Sequence, residues 1–203
     1  MQTMKKINNS PSQACQDSFV MNMLDFKREG FYLEIGASDY YTLSNTYILE
    51  NDYGWSGASL EIDSGLAERF NSNRKNKCLN LNAITADYNE ILSSMDAPKQ
   101  IDYLQVDIDP APNTLAALKA VPLDKYRFSV VTFEHDIYAN AEYLLVQIQA
   151  NEILESYGYQ RVIKNLWSQG NPFEDWYVDP NVVKENIWRP VSGENLSKEN
   201  IFV

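Results

Sequence analysis

A mostly parallel, doubly wound α/β sheet, with helices on both faces and one antiparallel strand near the C-terminus, is the fold this sequence predicts. Three observations predict it. Apolar runs of strand length alternate with helical stretches at least five times, at the spacing of about 20 to 30 residues that helix-linked parallel strands show. Runs such as Phe128-Ser-Val-Val-Thr-Phe133 are nearly continuous in apolar character, which suits a sheet covered on both faces. The stretch Phe31-Tyr-Leu-Glu-Ile-Gly-Ala37 reads as a strand that stops at a glycine, and Glu61 closes a second apolar run 27 residues after Glu34. Glycine there lets the backbone turn sharply with no Cβ in the way of a ligand, and a carboxylate at the tip of the next strand accepts from both hydroxyls of a ribose. An adenosine-containing cofactor is therefore the expected ligand.

In chain order, a helix begins at Ser12 and carries an apolar stripe of Phe19, Val20, Met23, Leu24 and Phe26 that ends before Gly30. It is expected to cap the sheet or cover a pocket. Strands are predicted over 31–35, 58–62, 77–84, 101–106, 128–133 and 159–165, and helices over 44–53, 65–73, 113–120 and 140–157, with a brief helical turn over 88–94. No long helix separates the sixth strand from the aromatic run Phe173-Glu-Asp-Trp-Tyr-Val178, because only turn formers fill 167–172. A hairpin follows, and with it one antiparallel strand. Trp55, between Gly54 and Gly57, is expected beneath the sheet edge, and Trp167, Phe173, Trp176 and Tyr177 read first as core and edge packing. The organisation read from composition is a helical cap over 1–29, a main domain over 30–185 and a polar tail over 186–203.

With 203 residues and 44% hydrophobic content, the chain suits one well-buried core. Seventeen Lys and Arg stand against 28 Asp and Glu, a formal net charge of −11 with no basic run, so nucleic acid is disfavoured as a partner. Cys15 and Cys78 lie far apart without Cys-x-x-Cys spacing, which favours a reduced cytoplasmic protein. The N-terminal residues do not read as a signal peptide, and no apolar run approaches the roughly 18 residues of a membrane span.

The loop from Gly36 to Thr46 lacks the second and third glycines that a close-lying pyrophosphate needs, so a dinucleotide is less expected. Ser44, Asn45 and Thr46 sit where free amides at a helix start receive the carboxylate of an amino-acid-like ligand; simple helix capping is the alternative for Ser44 or Thr46. S-adenosylmethionine has adenosine at one end and such a carboxylate at the other.

Five blocks in order, Leu33-Glu-Ile-Gly-Ala-Ser-Asp39, Leu43-Ser-Asn-Thr-Tyr-Ile-Leu-Glu50, Gly54-Trp-Ser-Gly-Ala-Ser-Leu-Glu61, Ile101-Asp-Tyr-Leu-Gln-Val-Asp-Ile-Asp109 and Val131-Thr-Phe-Glu-His-Asp136, resemble FkbM-type S-adenosylmethionine-dependent methyltransferases. The resemblance spans residues 30 to 140 and implies a Rossmann-like class I methyltransferase sheet with an antiparallel last strand. Two departures stand out: Tyr40 occupies a position usually held by glycine, and Asp109-Pro110 replaces a usual Glu-Gly. Block by block, the resemblance puts Glu34, Gly36 and Ala37 along the methionine and ribose side of the cofactor, Glu61 on the ribose hydroxyls and Ile62 against adenine. Asn82-Ala83 falls where this fold binds the adenine amine, for which an Asn side chain supplies an acceptor, a turn role being the alternative.

Asp107 follows the fourth strand at the edge where the sulfonium methyl would be presented, and Asp109 lies two residues on. Opposite come Glu134, His135 and Asp136, with His135 the chain's only histidine. Histidine titrates near neutrality and takes a proton from a hydroxyl, so His135, or Asp107 assisted by it, is the candidate base. The acidic cluster of Asp107, Asp109, Glu134 and Asp136 with the imidazole is the competing site for Mg²⁺ or another divalent metal. The expected reaction is methylation of a hydroxyl on a sugar, glycan or other small-molecule acceptor; a homo-oligomer is compatible with it. A nicotinamide-dependent oxidoreductase, for which Glu61 would serve equally, and a non-catalytic nucleoside-cofactor-binding module are the alternatives.

Overall fold

The computed structural model describes residues 2–203. Its elements are α1 (Gln16–Met23), β1 (Phe31–Ile35), α2 (Tyr47–Tyr53), β2 (Ser56–Glu61), α3 (Ser64–Asn73), β3 (Lys77–Asn80), α4 (Tyr88–Ser94) and β4 (Gln100–Val106). They continue with α5 (Ala111–Ala120), β5 (Arg127–Glu134), α6 (Tyr143–Ser156), β6 (Gln160–Ser168), β7 (Asn171–Val178), α7 (Glu185–Trp188), β8 (Gly193–Glu194) and α8 (Lys198–Ile201). One eight-stranded sheet runs in the order β3-β2-β1-β4-β5-β7-β6-β8. Neighbours are parallel except at β7, which is antiparallel to both β5 and β6. The β6–β7 hairpin expected from the turn formers thus inserts its second arm between β5 and β6.

Strand alternation divides the core between two faces. Leu33, Ile35, Leu104, Val106, Val131 and Phe133 pack with residues of α4, α5 and α6 on one face. Tyr32, Tyr103, Val130 and Trp176 pack on the other with α1, α2 and the C-terminal segment. Phe19 of α1 lies against Trp176 with ring centroids 4.5 Å apart, so the first helix does cover the sheet. Trp55 is buried in the same cluster and its indole NH donates to the Lys27 carbonyl at 2.9 Å.

Several boundaries shift for local reasons. α1 starts at Gln16 rather than Ser12, because Ser12 forms a bridge with Leu43 and its hydroxyl accepts from Gln16 N. α2 starts at Tyr47, since the Ser44 hydroxyl takes the Thr46 and Tyr47 amides. β3 stops at Asn80 instead of reaching residue 84, because Asn82 folds into a turn. The segment from 186 onward packs back on the sheet: β8 pairs with β6, Met4 bridges to Phe202, and Ile201 is fully buried. Among the described residues no helix is long and apolar enough to cross a membrane.

A buried ion pair ties α2 to the end of α3, and the same arginine fastens the loop after β1. Arg74 donates from Nε to Glu50 at 2.8 Å, from Nη1 to the Tyr40 carbonyl at 3.0 Å and from Nη2 to Thr46 Oγ1 at 3.1 Å. Its guanidinium also stacks 4.6 Å from the Phe70 ring centroid. Arg74 and Glu50 are almost fully buried, so deleting one partner strands the other charge in a low-dielectric interior. Arg74→Met is expected to lower unfolding free energy by about 3 to 5 kcal/mol, measured by urea denaturation. A change below about 1 kcal/mol, the range of exposed pairs, would show that the pair is not insulated from solvent.

Candidate active site

The carboxyl ends of β1, β2, β4 and β5 meet at one edge of the sheet, where open α/β sheets bind ligands. Gly36 turns there with φ +87°, and its amide and that of Ala37 both donate to the Leu60 carbonyl, at 3.0 and 3.1 Å. A Cβ at Gly36 would stand 1.7 Å from the Asp107 carbonyl oxygen. The glycine is thus required twice, by conformation and by space.

Three hollows meet around this turn. One of about 110 Å³ is lined by Glu61, Ile62, Leu81, Asn82, Ala83 and Ile108 among others. A second of about 110 Å³ lies on the other side of Gly36, between Glu34, Ala37, Ser44, Asn45, Gln105 and Asp107. An open cleft of about 430 Å³ joins them across Glu61, Asp107, Asp109 and Glu134.

Glu61 stands at the tip of β2, its two oxygens accepting from Ser38 N at 2.8 Å and Asp63 N at 2.9 Å. Each oxygen keeps a further lone pair toward the cleft. Ile62 is 70% exposed and presents an apolar surface to the hollow that a flat ring could cover. Ala83 lines the same hollow.

Some expected roles are corrected. Asn82 Oδ1 accepts from Ile84 N at 2.9 Å, so its side chain fills the turn role kept as the alternative, while the residue still lines the hollow. The amides at the start of α2 are not free, because Thr46 N and Tyr47 N point at Ser44 Oγ. Thr46 is fully buried and donates to Glu34 at 2.8 Å, outside every hollow of the site. Ser44 and Asn45 do line the inner hollow, but Asn45 Oδ1 accepts from Ser12 Oγ at 2.7 Å and so fastens the N-terminal segment over it. Glu34, also buried, is held by Thr46 and by Ser59.

His135 is corrected most firmly. It is fully buried, with Nε2 3.2 Å from both Asp175 Oδ1 and Gln147 Nε2, and Nδ1 accepting from Ile137 N at 3.3 Å. Alternation along β5 explains this: His135 shares the parity of Phe133, which faces α5 and α6, while Thr132 and Glu134 face the cleft side. The imidazole therefore lies beneath the sheet edge, away from any acceptor.

The groups that do converge are carboxyls. Burial pushes Asp107 up to about 7, against a hydrogen bond with Glu134 that lowers it. Burial and then the charge of Asp107 push Glu134 up to about 12, so Glu134 keeps its proton at neutral pH. Asp136 is also raised, again chiefly by burial. Asp109 is exposed at the rim of the cleft. Among the described residues, no group of three or more His, Cys, Asp or Glu side chains is placed to hold a metal ion, and the turned-away imidazole removes one ligand from the competing divalent site.

Gln105 and Gln13 belong to the site and were not singled out in the sequence. Gln105 pairs with Glu34 across β1 and β4, is 4% exposed, and leaves its Oε1 without a donor in the inner hollow. A period-2 count back from Asp107 would have found it. Gln13 lines the inner hollow and the open cleft from the segment before α1, where no strand or helix pattern gives a signal.

No family model matches the sequence, and no curated protein matches it. Solved structures do resemble it in fold. An O-methyltransferase from Bacillus cereus in complex with SAH superposes with a TM-score of 0.54 at 15% identity, over 81% of this chain and 80% of that one. The N-methyltransferase NodS from Bradyrhizobium japonicum WM9, in complex with S-adenosyl-L-homocysteine, gives 0.52 at 8% identity, over 81% and 85%. A fibrillarin/Nop5p complex gives 0.51 at 17%, over 73% and 71%. The fold is the Rossmann-like sheet of class I methyltransferases.

Beside the cluster, Glu174 on β7 is 1% exposed and accepts from Gln16 Nε2 at 3.0 Å and Trp176 Nε1 at 2.7 Å. Burial raises it to about 8 in spite of the Trp176 bond. Its contribution to stability is complete below the ordinary glutamate value and is lost as pH rises through about 8. Glu174→Gln keeps both bonds and removes the titration. Urea midpoints should show the variant gaining on wild type between pH 5 and about pH 8.5; parallel profiles would mean that the carboxyl is not held neutral.

Proposed function

We propose that this chain is an S-adenosylmethionine-dependent methyltransferase of the FkbM type that methylates a hydroxyl of a sugar or other small metabolite. The observation that carries the proposal is Glu61, poised at the tip of β2 with both oxygens at the cleft, between the glycine turn on one side and exposed Ile62 on the other. The residues fit the donor at both ends. Glu61 would hold the ribose diol, Ile62 and Leu81 would cover the adenine, and the Gly36 turn admits a chain that any Cβ would displace. The unpaired Gln105 oxygen suits the ammonium of the methionine end. When bound, the donor supplies an electrophilic methyl group on a sulfonium.

The chain's own residues then have two tasks. Alignment is the first, since in-line displacement gains much of its rate from fixed geometry. Moving a proton is the second: a neutral hydroxyl must lose its proton as the new oxygen–carbon bond forms. Asp107, held near 7 at the end of β4 and backed by protonated Glu134, takes that proton in place of His135. Buried thiols at Cys15 and Cys78 accord with the reduced cytoplasm as its compartment.

Calorimetry should show S-adenosylhomocysteine binding to the wild type and not to Glu61→Ala. Binding of NAD alone would transfer the site to the nicotinamide alternative, which Glu61 also suits. Asp107→Asn should retain S-adenosylhomocysteine while lowering turnover by about 10²- to 10⁴-fold, read by mass spectrometry with labelled donor and a panel of glycosides. Unchanged turnover would remove Asp107 as the base.

A further inference from the structure

A further hollow, of about 90 Å³, opens beside the cluster between the end of β5, the β6–β7 hairpin and the segment before α1. Its walls include Gln13, Glu134, Asp136, Tyr138, Ser168 and Asn171. Gln13 and Glu134 also line the open cleft, so the two spaces are continuous around Glu134. Among the described residues, no Lys, Arg or His lines either one.

Asp136 is the unusual group here. It is 8% exposed, yet its Oδ1 has no hydrogen-bond partner. Its backbone is fixed, with Asp136 N donating to the Phe173 carbonyl at 3.1 Å and its own carbonyl accepting from Ala139 N at 2.8 Å. Glu134 has a single proton to share between Asp107 and Asp136, and the Tyr138 hydroxyl also bonds the Asp136 carboxyl, which leaves Oδ1 as its oxygen without a donor. A buried carboxylate oxygen without a donor is costly, and a cation that donates to it removes the cost.

We propose that this hollow is the acceptor's anchoring subsite and that it takes a primary ammonium group, making the acceptor an amino alcohol or amino sugar. The assignment rests on the methyltransferase reading for what happens next, though not for the binding itself. An ammonium carries three donors and no acceptor, and the walls offer the Asp136 carboxylate, the Ser168 hydroxyl and the amide oxygens of Asn171 and Gln13. A hydroxymethyl group would leave the carboxylate unneutralised, and a phosphate or carboxylate would meet only like charge. With the ammonium on Asp136, a neighbouring hydroxyl of the same molecule comes to lie on the Glu134 side, toward Asp107. The hollow is too small for a whole sugar ring, so the ring stays in the open cleft and only its amino substituent enters.

The test is calorimetric titration of protein saturated with S-adenosylhomocysteine, using glucosamine, glucose and glucose 6-phosphate in turn. Glucosamine should bind about tenfold more tightly than glucose, the difference between a charged and a neutral hydrogen bond, and glucose 6-phosphate should not bind. Asp136→Asn should erase the preference for glucosamine while leaving S-adenosylhomocysteine affinity in place. Ser168→Phe, which fills the hollow from the exposed hairpin, should do the same and serves if Asp136→Asn does not fold. Equal binding of glucosamine and glucose to the wild type would overturn the assignment. So would a preference that appears only with Mg²⁺ and disappears with EDTA, which would make the hollow a metal site. If S-adenosylhomocysteine itself fails to bind, the methyltransferase reading falls, and glucosamine titrated into the protein alone still decides the subsite.

Discussion

The close approach of Gly36 to the Asp107 carbonyl organises the whole edge of the sheet. A single methyl group there would collide with backbone at 1.7 Å, so the ends of β1 and β4 are locked in mutual register. That register sets Glu34 beside Gln105 on one face and leaves hollows on both sides of the turn. Backbone-to-backbone contact of this kind cannot relax by a change of rotamer, which makes it a firmer constraint than any side-chain bond in the site.

The second organising feature is a polar line across an otherwise apolar sheet. Cross-strand neighbours Ser59, Glu34, Gln105, Thr132 and Trp176 share one face, with Glu134 and Glu174 paired one step further along. Most of these groups satisfy one another: Ser59 and Thr46 hold Glu34, Tyr103 and Thr132 share a bond of 2.8 Å, and Gln16 and Trp176 hold Glu174. Bonds are incomplete where the line reaches the open edge, at Gln105 Oε1 and Asp136 Oδ1. In a folded interior unpaired atoms are rare, and these two flank the buried carboxyls of Asp107 and Glu134. Acidity is stored here as protonated carboxyls, since burial of several like charges disfavours ionising all of them.

Much of the fold could be read from the chain because apolar periodicity is a strong signal over complete elements. The turn formers of 167–172 announced the hairpin, and the Gly36 turn and Glu61 were legible from the position of each relative to a strand end. Local hydrogen bonding was not legible. Ser44 and Asn82 each spend their side chains on nearby amides, a competition that residue type permits but spacing does not reveal. His135 was misplaced because its chemistry was weighed before its parity; one position along a strand reverses the face. β8 escaped because two residues carry no period, and its place depends on the long-range pairing with β6.

The inserted position of β7 has a consequence for how the protein is made. β5 gains its second neighbour only from residues 171–178, more than 35 positions after its own last residue, Glu134. While a nascent chain is still on the ribosome, β5 is a bare apolar margin, and β6, whose direction matches β5, is the wrong arm to close it. Synthesis therefore passes through a stage in which a strand destined to be buried in mid-sheet has an open edge, and shielding by a chaperone is most needed in that interval.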